Sequence, residues 1–225
     1  MVTFGLITEG ITDQIIIENI LIGFFNKDIE FNILQPLRDE TDKYRAKNYG
    51  GWCKVVEYCA NDEFKEALLF CNYIIIQIDT DVSNKPDGYD IPHHENGKEL
   101  TTIELIEKVI NKFKNLIGEE FYTKHQDQII FAISVHSTEC WLLPLYYTDN
   151  KKSKVINCLR TLNQALRKKE SFTIDVKNPE YYEDISKQYW KNKLLMKHYK
   201  NNPSLKIFIE KVAEKDISID DEDDF

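Results

Sequence analysis

The amino-acid sequence predicts an α/β protein: a mainly parallel four-stranded sheet flanked by helices, followed by a helical C-terminal extension. Short apolar runs alternate with helical patterns up to about residue 146, and after that point only helical patterns follow. Most of the apolar runs are continuously hydrophobic, as expected for strands that are covered on both faces. The predicted strands are VTFGLIT (2–8), FNILQ (31–35), YIIIQI (73–78) and IIFAISV (129–135).

Helical patterns fill the gaps between these strands. Residues 13–25 are apolar nearly all round, which predicts a buried helix. The segment at 101–118 predicts an amphipathic helix, because Thr101 and Glu104 have the spacing of a capping box and Gly118 can end the helix. Its apolar stripe is predicted to contain Ile103, Ile106, Ile110, Phe113 and Ile117. Further helices are predicted at 152–169, 181–200 and 203–214.

Composition and charge divide the chain into three parts. Residues 1–148 are predicted to form the α/β domain, 149–215 a basic helical extension packed on it, and 216–225 a disordered acidic tail. The last ten residues hold six acids and no base, so the net charge of −9 comes mainly from the tail. The extension contains two long stretches with basic residues and no acid, which favours binding to a polyanion. Solvation of ordinary surface helices is the alternative.

The sequence shows no sign of a membrane protein. No apolar run approaches the roughly 20 residues that span a bilayer, and Met1 is not followed by a basic segment and a long apolar stretch. A cytoplasmic location without membrane contact is therefore expected. The five cysteines include no CxxC pair or zinc-ligand spacing, so we expect them to be reduced thiols.

Five acidic residues follow three of the predicted strands. Glu9 and Asp13 come after the first strand, Asp79 and Asp81 after the third, and Glu139 shortly after the fourth. Because the carboxyl ends of parallel strands face the same edge of a sheet, these side chains should meet there. Carboxylate oxygens are hard ligands, so the pattern predicts a site for Mg²⁺ or Mn²⁺.

Each acid also has a structural alternative. Asp13 could stabilise the N-terminus of the first helix, and it is the residue for which this alternative is strongest. Asp79 and Asp81 could belong to a turn, and Glu139 could lie on the surface of a helix. The alternatives lose force when they are taken together, because all five acids would be placed at one edge.

Glu9-Gly10 with Asp13, followed by Asp79-x-Asp81 after a later strand, resembles the Toprim domain of topoisomerases, primases and OLD-type (overcoming lysogenization defect) nucleases. Small standalone Toprim-like proteins of the OLD group are the most similar, because HSTECWLL (136–143) and YYEDISKQYWKNKLL (181–195) resemble two further segments of that group. The resemblance covers about residues 2–146 as a fold. It implies a Rossmann-like sheet with the strand order 2-1-3-4.

The resemblance also implies how the acids would act. Glu9, Asp79 and Asp81 would bind Mg²⁺, while Asp13 and Glu139 would support them or hold a second ion. A lysine assists in the nucleases of this group, and Lys191 is the candidate, with Lys187 as a rival. The chain has no P-loop, so nucleotide control would have to come from a separate ATPase partner. A role in phage defence or as a toxin-like effector follows as a hypothesis, and a dimer is one alternative for the oligomeric state.

The predicted reaction is metal-assisted hydrolysis of a phosphodiester in DNA or RNA. The catalytic set is Glu9, Asp79, Asp81 and Lys191, and Glu9 could alternatively act as a general base. Basic residues of the extension would hold the nucleic-acid backbone. They are Arg160, Arg167, Lys168, Lys169, Lys187, Lys193 and Lys197. Tyr189, Trp190 and Tyr199 lie among them and could stack on bases, although packing against the sheet layer is the favoured interpretation.

Two other functions remain open at this point. The run IIIQIDTDVS also fits the D-x-D motif of haloacid-dehalogenase-like phosphatases, in which Asp79 would attack phosphate, Asp81 would act as acid and base, and Ser134 or Ser137 would bind phosphate. Alternatively, the chain could be a non-catalytic module that docks a partner through its acidic tail. His93 and His94 lie in a long polar segment that could cover the site or bind metal, although a solvated loop is favoured.

Overall fold

A computed structural model describes residues 2–38 and 50–219 of the chain. The main strands are β1 (Thr3–Ile7), β2 (Glu30–Gln35), β3 (Tyr73–Asp79) and β6 (Ile129–Ser134), and a short hairpin contains β4 (His94–Glu95) and β5 (Lys98–Glu99). The four main strands form one parallel sheet in the order β2-β1-β3-β6. The predicted sheet is therefore confirmed, with each strand end within one residue of its prediction.

Helices cover both faces of this sheet. They are α1 (Ile11–Phe25), α2 (Trp52–Ala60), α3 (Asp62–Ala67), α4 (Thr102–Ile117), α5 (Glu119–His125), α6 (Glu139–Tyr146), α7 (Cys158–Lys169), α8 (Pro179–Ser186), α9 (Asn192–His198) and α10 (Pro203–Ala213). The two faces of the sheet belong to two separate hydrophobic cores. In β3, Ile75 packs into the core that contains α1, whereas Ile74 and Ile76 pack into the core that contains α2 and α4. The continuous apolar runs of the sequence therefore supply two cores at once.

The helix α1 lies between the sheet and the C-terminal helices. Ile16 and Leu21 share one core with Leu162, Tyr182 and Phe208, so the basic extension packs on the α/β layer. This position explains why α1 is apolar nearly all round. Asn26 caps the C-terminus of α1: it adopts a left-handed conformation, and its N–H donates to the Ile22 carbonyl.

The helix α4 has the predicted capping box between Thr101 and Glu104. Its buried face differs from the predicted stripe at one end, because Ile103 is 59% exposed whereas Leu105 and Val109 are buried. The buried face of α4 therefore begins at Leu105 and does not include the apolar residue nearest the cap.

Two of the predicted C-terminal helices are shorter in the structure. Residues 150–153 form a 3₁₀ turn, and α7 begins only at Cys158, after Asn157 in a left-handed conformation. The predicted helix 181–200 is broken by a 3₁₀ turn at 187–190. This break brings the Tyr189 carbonyl against Gly23 of α1, where a Cβ atom would lie 1.7 Å from the carbonyl oxygen.

A disulfide joins Cys140 in α6 to Cys158 at the start of α7, with their Cα atoms 4.9 Å apart. Cys53, Cys59 and Cys71 are free thiols. The expectation that all five cysteines are reduced is therefore wrong for one pair. The pairing depends on α6 and α7 packing side by side, which a separation of 18 residues does not reveal.

No helix in the two described ranges is both long and apolar enough to cross a membrane. The predicted acidic tail lies mostly outside the described residues. Its first four residues, 216–219, are described, and the Ile219 carbonyl accepts a hydrogen bond of 2.6 Å from Lys27 Nζ.

Candidate active site

The five predicted acids meet at the carboxyl edge of the sheet. Glu9 follows β1, Asp79 ends β3, and Asp81 comes two residues later. Asp13 lies in the first turn of α1, and Glu139 begins α6, just after β6. The electrostatic neighbours of the buried Asp79 carboxyl include Asp13, Glu9 and Glu139, and Asp81 is a weaker neighbour of Glu9, so the five acids lie at the edge expected from the strand order.

A glutamine that the sequence reasoning missed ties Glu9 to Asp79. The Glu9 N–H donates to Gln77 Oε1 (3.0 Å), and Gln77 Nε2 donates to Asp79 Oδ1 (2.8 Å). The Asp79 N–H in turn donates to Glu9 Oε1 (2.7 Å). These three bonds close a ring across β1 and β3, so both carboxylates are held in fixed orientations. A polar residue within the apolar run YIIIQI is the feature of the sequence that could have indicated a role for Gln77.

Asp13 is buried, and its carboxylate interacts with its own backbone N–H at the start of α1 as well as with a second element. The Thr138 hydroxyl donates to Asp13 Oδ1, which links α1 to the loop before α6. The residue before α1 is Gly10, and it provides no side-chain cap. Helix capping therefore does not explain Asp13 by itself, since its carboxylate reaches across to a different element.

Glu139 is 2% exposed, which excludes the alternative of a surface helix residue. The Tyr182 hydroxyl of α8 donates to Glu139 Oε1 at 2.6 Å. Lys177 Nζ lies 3.7 Å from the same oxygen. Glu139 is thus held by two groups from the C-terminal extension.

Lys177, which the sequence reasoning missed, is the lysine that reaches the carboxylates. It lies in the irregular segment between α7 and α8, and 52% of its side-chain surface is exposed. It is the one basic residue between Lys169 and Lys187. This position in the sequence does not indicate that its side chain lies near the carboxylates.

Lys191, the predicted catalytic lysine, lies elsewhere. It precedes α9, where the neighbouring Asn192 donates to the carbonyls of Gly23 and Phe24. That end of α1 is roughly 16 Å along the helix from Asp13. Lys187 is also not brought to the carboxylates, because its ammonium packs over the Trp190 ring at 5.1 Å.

Burial and mutual repulsion dominate the electrostatics of the site. Burial, and next the charge of Asp13, raise the pKa of Glu9 to about 8. The pKa of Asp79 is also well above its usual range, because the residue is buried and faces Asp13 and Glu9. Burial raises the pKa of Asp13, which Lys177 partly opposes. The described side chains therefore leave this cluster short of positive charge.

Glu139 behaves differently. Burial alone would raise its pKa, but Lys177, followed by hydrogen bonds from Ser137 and Tyr182, lowers it below the usual value. The pKa of Lys177 is raised, first by Asp13 and then by Glu139. Positive charge is thus present at the Glu139 side of the cluster.

Asp81 is exposed, and a neighbouring loop fixes its backbone. The Asp81 N–H donates to the His136 carbonyl (3.1 Å), and the His136 N–H donates to Thr80 Oγ1 (2.8 Å). His136 adopts a left-handed conformation with φ of 63°. His93 packs against the His136 ring and lies 2.9 Å from Ser83 Oγ, so it is part of the loop's hydrogen-bonding. His94 is exposed in the hairpin.

Gly50 and Gly51 bring the start of α2 against β1. The Gly51 N–H donates to the Glu9 carbonyl at 2.7 Å, and a Cβ atom on Gly50 would lie 2.5 Å from that oxygen. A side chain at residue 50 would therefore displace the segment that carries Glu9.

The donor set fits Mg²⁺ or Mn²⁺ in its chemistry, because it consists of carboxylate oxygens that lack a neutralising cation. Within residues 2–38 and 50–219, no three His, Cys, Asp or Glu side chains are arranged to hold an ion as they stand. Metal binding therefore requires the exposed Asp81 to turn toward the Glu9 and Asp79 carboxylates.

The predicted nucleic-acid contacts fall into two sets. Arg160 and Arg167 line an open groove of about 490 Å³ on α7, together with Asn163 and Gln164. Lys168 is exposed nearby, whereas Lys169 donates to the Tyr146 carbonyl (2.9 Å) and is held against α6. The second set contains the exposed Lys187, Lys193 and Lys197.

The three aromatic residues near this second set differ in their environments. Tyr189 is fully buried, and its hydroxyl donates to the Trp141 carbonyl, so the favoured packing interpretation holds for it. Trp190 is 40% exposed and donates to Asn19 Oδ1. Tyr199 is partly buried against the core of α1.

Ser134 Oγ is the one buried side-chain polar atom in the described part of the chain that has no hydrogen-bond partner. Ser134 pairs in register with Asp79 across β3 and β6. An unpaired buried hydroxyl beside the carboxylates is atypical of a purely structural position.

No protein-family model, no curated protein and no solved structure matches this chain. A function for the carboxylate cluster therefore has to be inferred from its own residues.

Proposed function

We propose that this protein is a Mg²⁺- or Mn²⁺-dependent nuclease that hydrolyses phosphodiester bonds of DNA or RNA. The observation that carries the proposal is a cluster at the carboxyl ends of three parallel strands, where hydrogen bonds and an ion pair hold four buried or partly buried carboxylates and Lys177, with the exposed Asp81 next to Glu9. Buried carboxylates that repel one another destabilise a fold unless a cation joins them. A ligand that brings positive charge accounts for this cluster better than a structural role does.

Glu9, Asp79 and Asp81 would hold the metal ion. They come from the two central strands, and the exposed Asp81 is free to turn toward the buried Asp79. When bound, the ion supplies positive charge at the phosphate and lowers the pKa of a water molecule.

The chain's own residues supply orientation and charge. The ring of hydrogen bonds through Gln77 fixes the Glu9 and Asp79 carboxylates before substrate arrives. The half-exposed Lys177 ammonium, held by Glu139, lies where it can donate to a phosphate oxygen as negative charge develops there. Lys177 takes the role for which the sequence suggested Lys191.

The groove on α7 is the proposed path of the nucleic-acid backbone. The first turn of α7 is joined by the disulfide to Cys140, next to Glu139, so the helix starts beside the carboxylates. Arg160 and Arg167 are seven residues apart on the same face, which is roughly 10 Å along the helix. Two arginines on one face of a helix can each contact a phosphate of the same backbone.

We also propose that the domain is related to Toprim domains, and that it serves phage defence as OLD-type proteins do. Two features support the relationship: the strand order of the sheet and the placement of Glu9 and Asp79-x-Asp81 after the two central strands. A separate ATPase partner stays a prediction from the same resemblance.

A phosphatase of the haloacid-dehalogenase type is the second candidate, and the unpaired Ser134 hydroxyl beside Asp79 favours it. In that reaction Asp79 would attack phosphate. The residue is 5% exposed and its carboxylate is held by Gln77, so a substrate would have to open the site first.

The test compares the wild-type protein with Asp79→Asn and with a control, Glu107→Gln, in the exposed face of α4. Each protein is incubated with single-stranded DNA, double-stranded DNA and tRNA, in Mg²⁺, in Mn²⁺ and in a chelator. We expect metal-dependent cleavage by the wild type and the control, and a loss of at least about 100-fold in Asp79→Asn.

Equal cleavage by the wild type and Asp79→Asn would refute the site. Hydrolysis of p-nitrophenyl phosphate without cleavage of any nucleic acid would favour the phosphatase. If Glu9→Gln kept the biological effect of the protein and no hydrolysis of either kind occurred, the chain would be a docking module instead.

A further inference from the structure

We infer that Lys177 occupies the place of a second metal ion, so that the site takes one divalent ion per chain. The inference rests on the proposed function, because it concerns how the same carboxylates bind their metal. It specifies which of them are ligands: Glu9, Asp79 and Asp81 hold the ion, whereas Asp13 and Glu139 hold the lysine.

The hydrogen bonds divide the five carboxylates into an outer and an inner group. The outer group consists of Glu9, Asp79 and Asp81, and Gln77 joins the first two. Asp81 is exposed and Glu9 is partly exposed, so an ion from solvent can reach these two, whereas Asp79 is only 5% exposed.

The inner group consists of Asp13 and Glu139, and its oxygens are already engaged. Thr138 donates to Asp13 Oδ1, and Tyr182 donates to Glu139 Oε1, with Lys177 Nζ 3.7 Å from that oxygen. Asp13 is also the strongest electrostatic neighbour of the lysine. The ammonium group therefore contacts Glu139 and lies within electrostatic reach of Asp13.

The segment that carries Lys177 is fixed on both sides of the residue. On the N-terminal side, the Ile174 N–H donates to Asn163 Oδ1 (2.7 Å), and Asn163 Nδ2 donates back to the Ile174 carbonyl (2.9 Å). On the C-terminal side, Asn178 Oδ1 accepts from the Glu180 N–H at the start of α8 (3.0 Å). These hydrogen bonds fix the backbone on both sides of Lys177 and so keep its side chain near the carboxylates.

The charge count favours one ion over two. Metal ligation requires the carboxylates to release their protons. With all five ionised against one ammonium group, one divalent ion leaves two negative charges for water and substrate contacts. A second divalent ion at Asp13 and Glu139 would have to expel the lysine and break the bonds from Thr138 and Tyr182. An ammonium group in this position can also neutralise the phosphate during hydrolysis, as a second ion does in two-metal sites.

The test measures how many Mn²⁺ ions the metal-free protein binds at pH 7.5, by isothermal titration calorimetry and by electron paramagnetic resonance. We expect one ion per chain in the wild type and one in Lys177→Arg, which keeps the charge. Lys177→Met keeps the length of the side chain but not the charge, and it should bind two. Lys168→Met, an exposed lysine on α7, is the matched control and should bind one.

Two ions per wild-type chain would overturn the inference and leave the proposed nuclease intact. One ion in a folded Lys177→Met variant would also overturn it, because the lysine would then not be what excludes the second ion. No Mn²⁺ binding by the wild type would remove both this inference and the proposed metal-dependent function. Because two ions per wild-type chain overturn the inference, the wild-type count keeps it refutable even if Lys177→Met does not fold.

Discussion

Raising the pH from 5 to 8 should destabilise the metal-free protein. Burial, with the charge of Asp13, raises the pKa of Glu9 from 4.5 to about 8, so the folded protein keeps a proton that the unfolded chain has already released in this range. A group whose pKa is higher in the folded state loses its stabilising contribution as the pH rises toward that value. The stability contributed by the protonated Glu9 should therefore be present below pH 4.5 and be lost by about pH 8.

The size of the effect follows from the pKa of Glu9. One proton held by the folded state but not by the unfolded state changes the free energy of unfolding by about 1.4 kcal/mol per pH unit. Over three units this amounts to roughly 4 kcal/mol, or a fall in Tm of the order of 10 °C for a chain of this length. Asp79 and Asp13 act in the same direction, because their pKa values are raised as well.

The assay is urea unfolding in a chelator at pH 5, 6, 7 and 8, for the wild type and Glu9→Gln. The glutamine carbonyl can still accept the Asp79 N–H, so the variant should fold, and its stability should depend less on pH by about 1.4 kcal/mol per unit. The exposed Glu107→Gln serves as the control and should follow the wild type. A wild-type stability that is constant or rises from pH 5 to 8, or an equal slope in Glu9→Gln, would refute the reasoning.

Three further predictions concern the extension and its surface. Reduction of the Cys140–Cys158 disulfide, which closes a loop of 18 residues, should lower the free energy of unfolding by about 3 kcal/mol in urea titrations, and a reductant should not affect Cys158→Ala. Gly23→Ala should destabilise the protein by about 3 kcal/mol or more, since its Cβ atom would lie 1.7 Å from the Tyr189 carbonyl oxygen; an unchanged Tm would show that this contact is absent. Arg167→Ala should reduce the salt dependence of single-stranded DNA binding, lowering the slope of log K against log salt by about 0.7, and an unchanged slope would exclude this groove as the phosphate contact.

Local sequence patterns were sufficient to predict the strands of the sheet and the acidic residues at its carboxyl edge. The run YIIIQI predicts β3 because its length and continuous hydrophobicity are typical of a strand covered on both faces. The acid that follows such a strand has its position fixed by where the strand ends. For this reason Glu9, Asp79 and Glu139 could be placed at one edge before any contact was known.

Contacts between distant parts of the chain could not be predicted in this way. The apolar pattern of residues 181–200 continues through the break at 187–190, which arises because the Tyr189 carbonyl lies against Gly23. The two cysteines of the disulfide have no distinctive spacing, and their pairing depends on how α6 packs against α7. Lys191 was chosen from a segment resemblance, which gives no information about distance from the carboxylates.

The four parallel strands, the burial of α1 and the strand ends at which the acids lie can all be predicted from local sequence. These follow from hydrophobic periodicity and strand length, which are properties of neighbouring residues. Three contacts depend instead on how distant segments pack: Gln77 joins Glu9 to Asp79, Tyr182 holds Glu139, and Lys177 supplies the positive charge. A lysine in an irregular segment has no periodic pattern, and its long side chain reaches the carboxylates only because α7 and α8 pack beside α6 and α1.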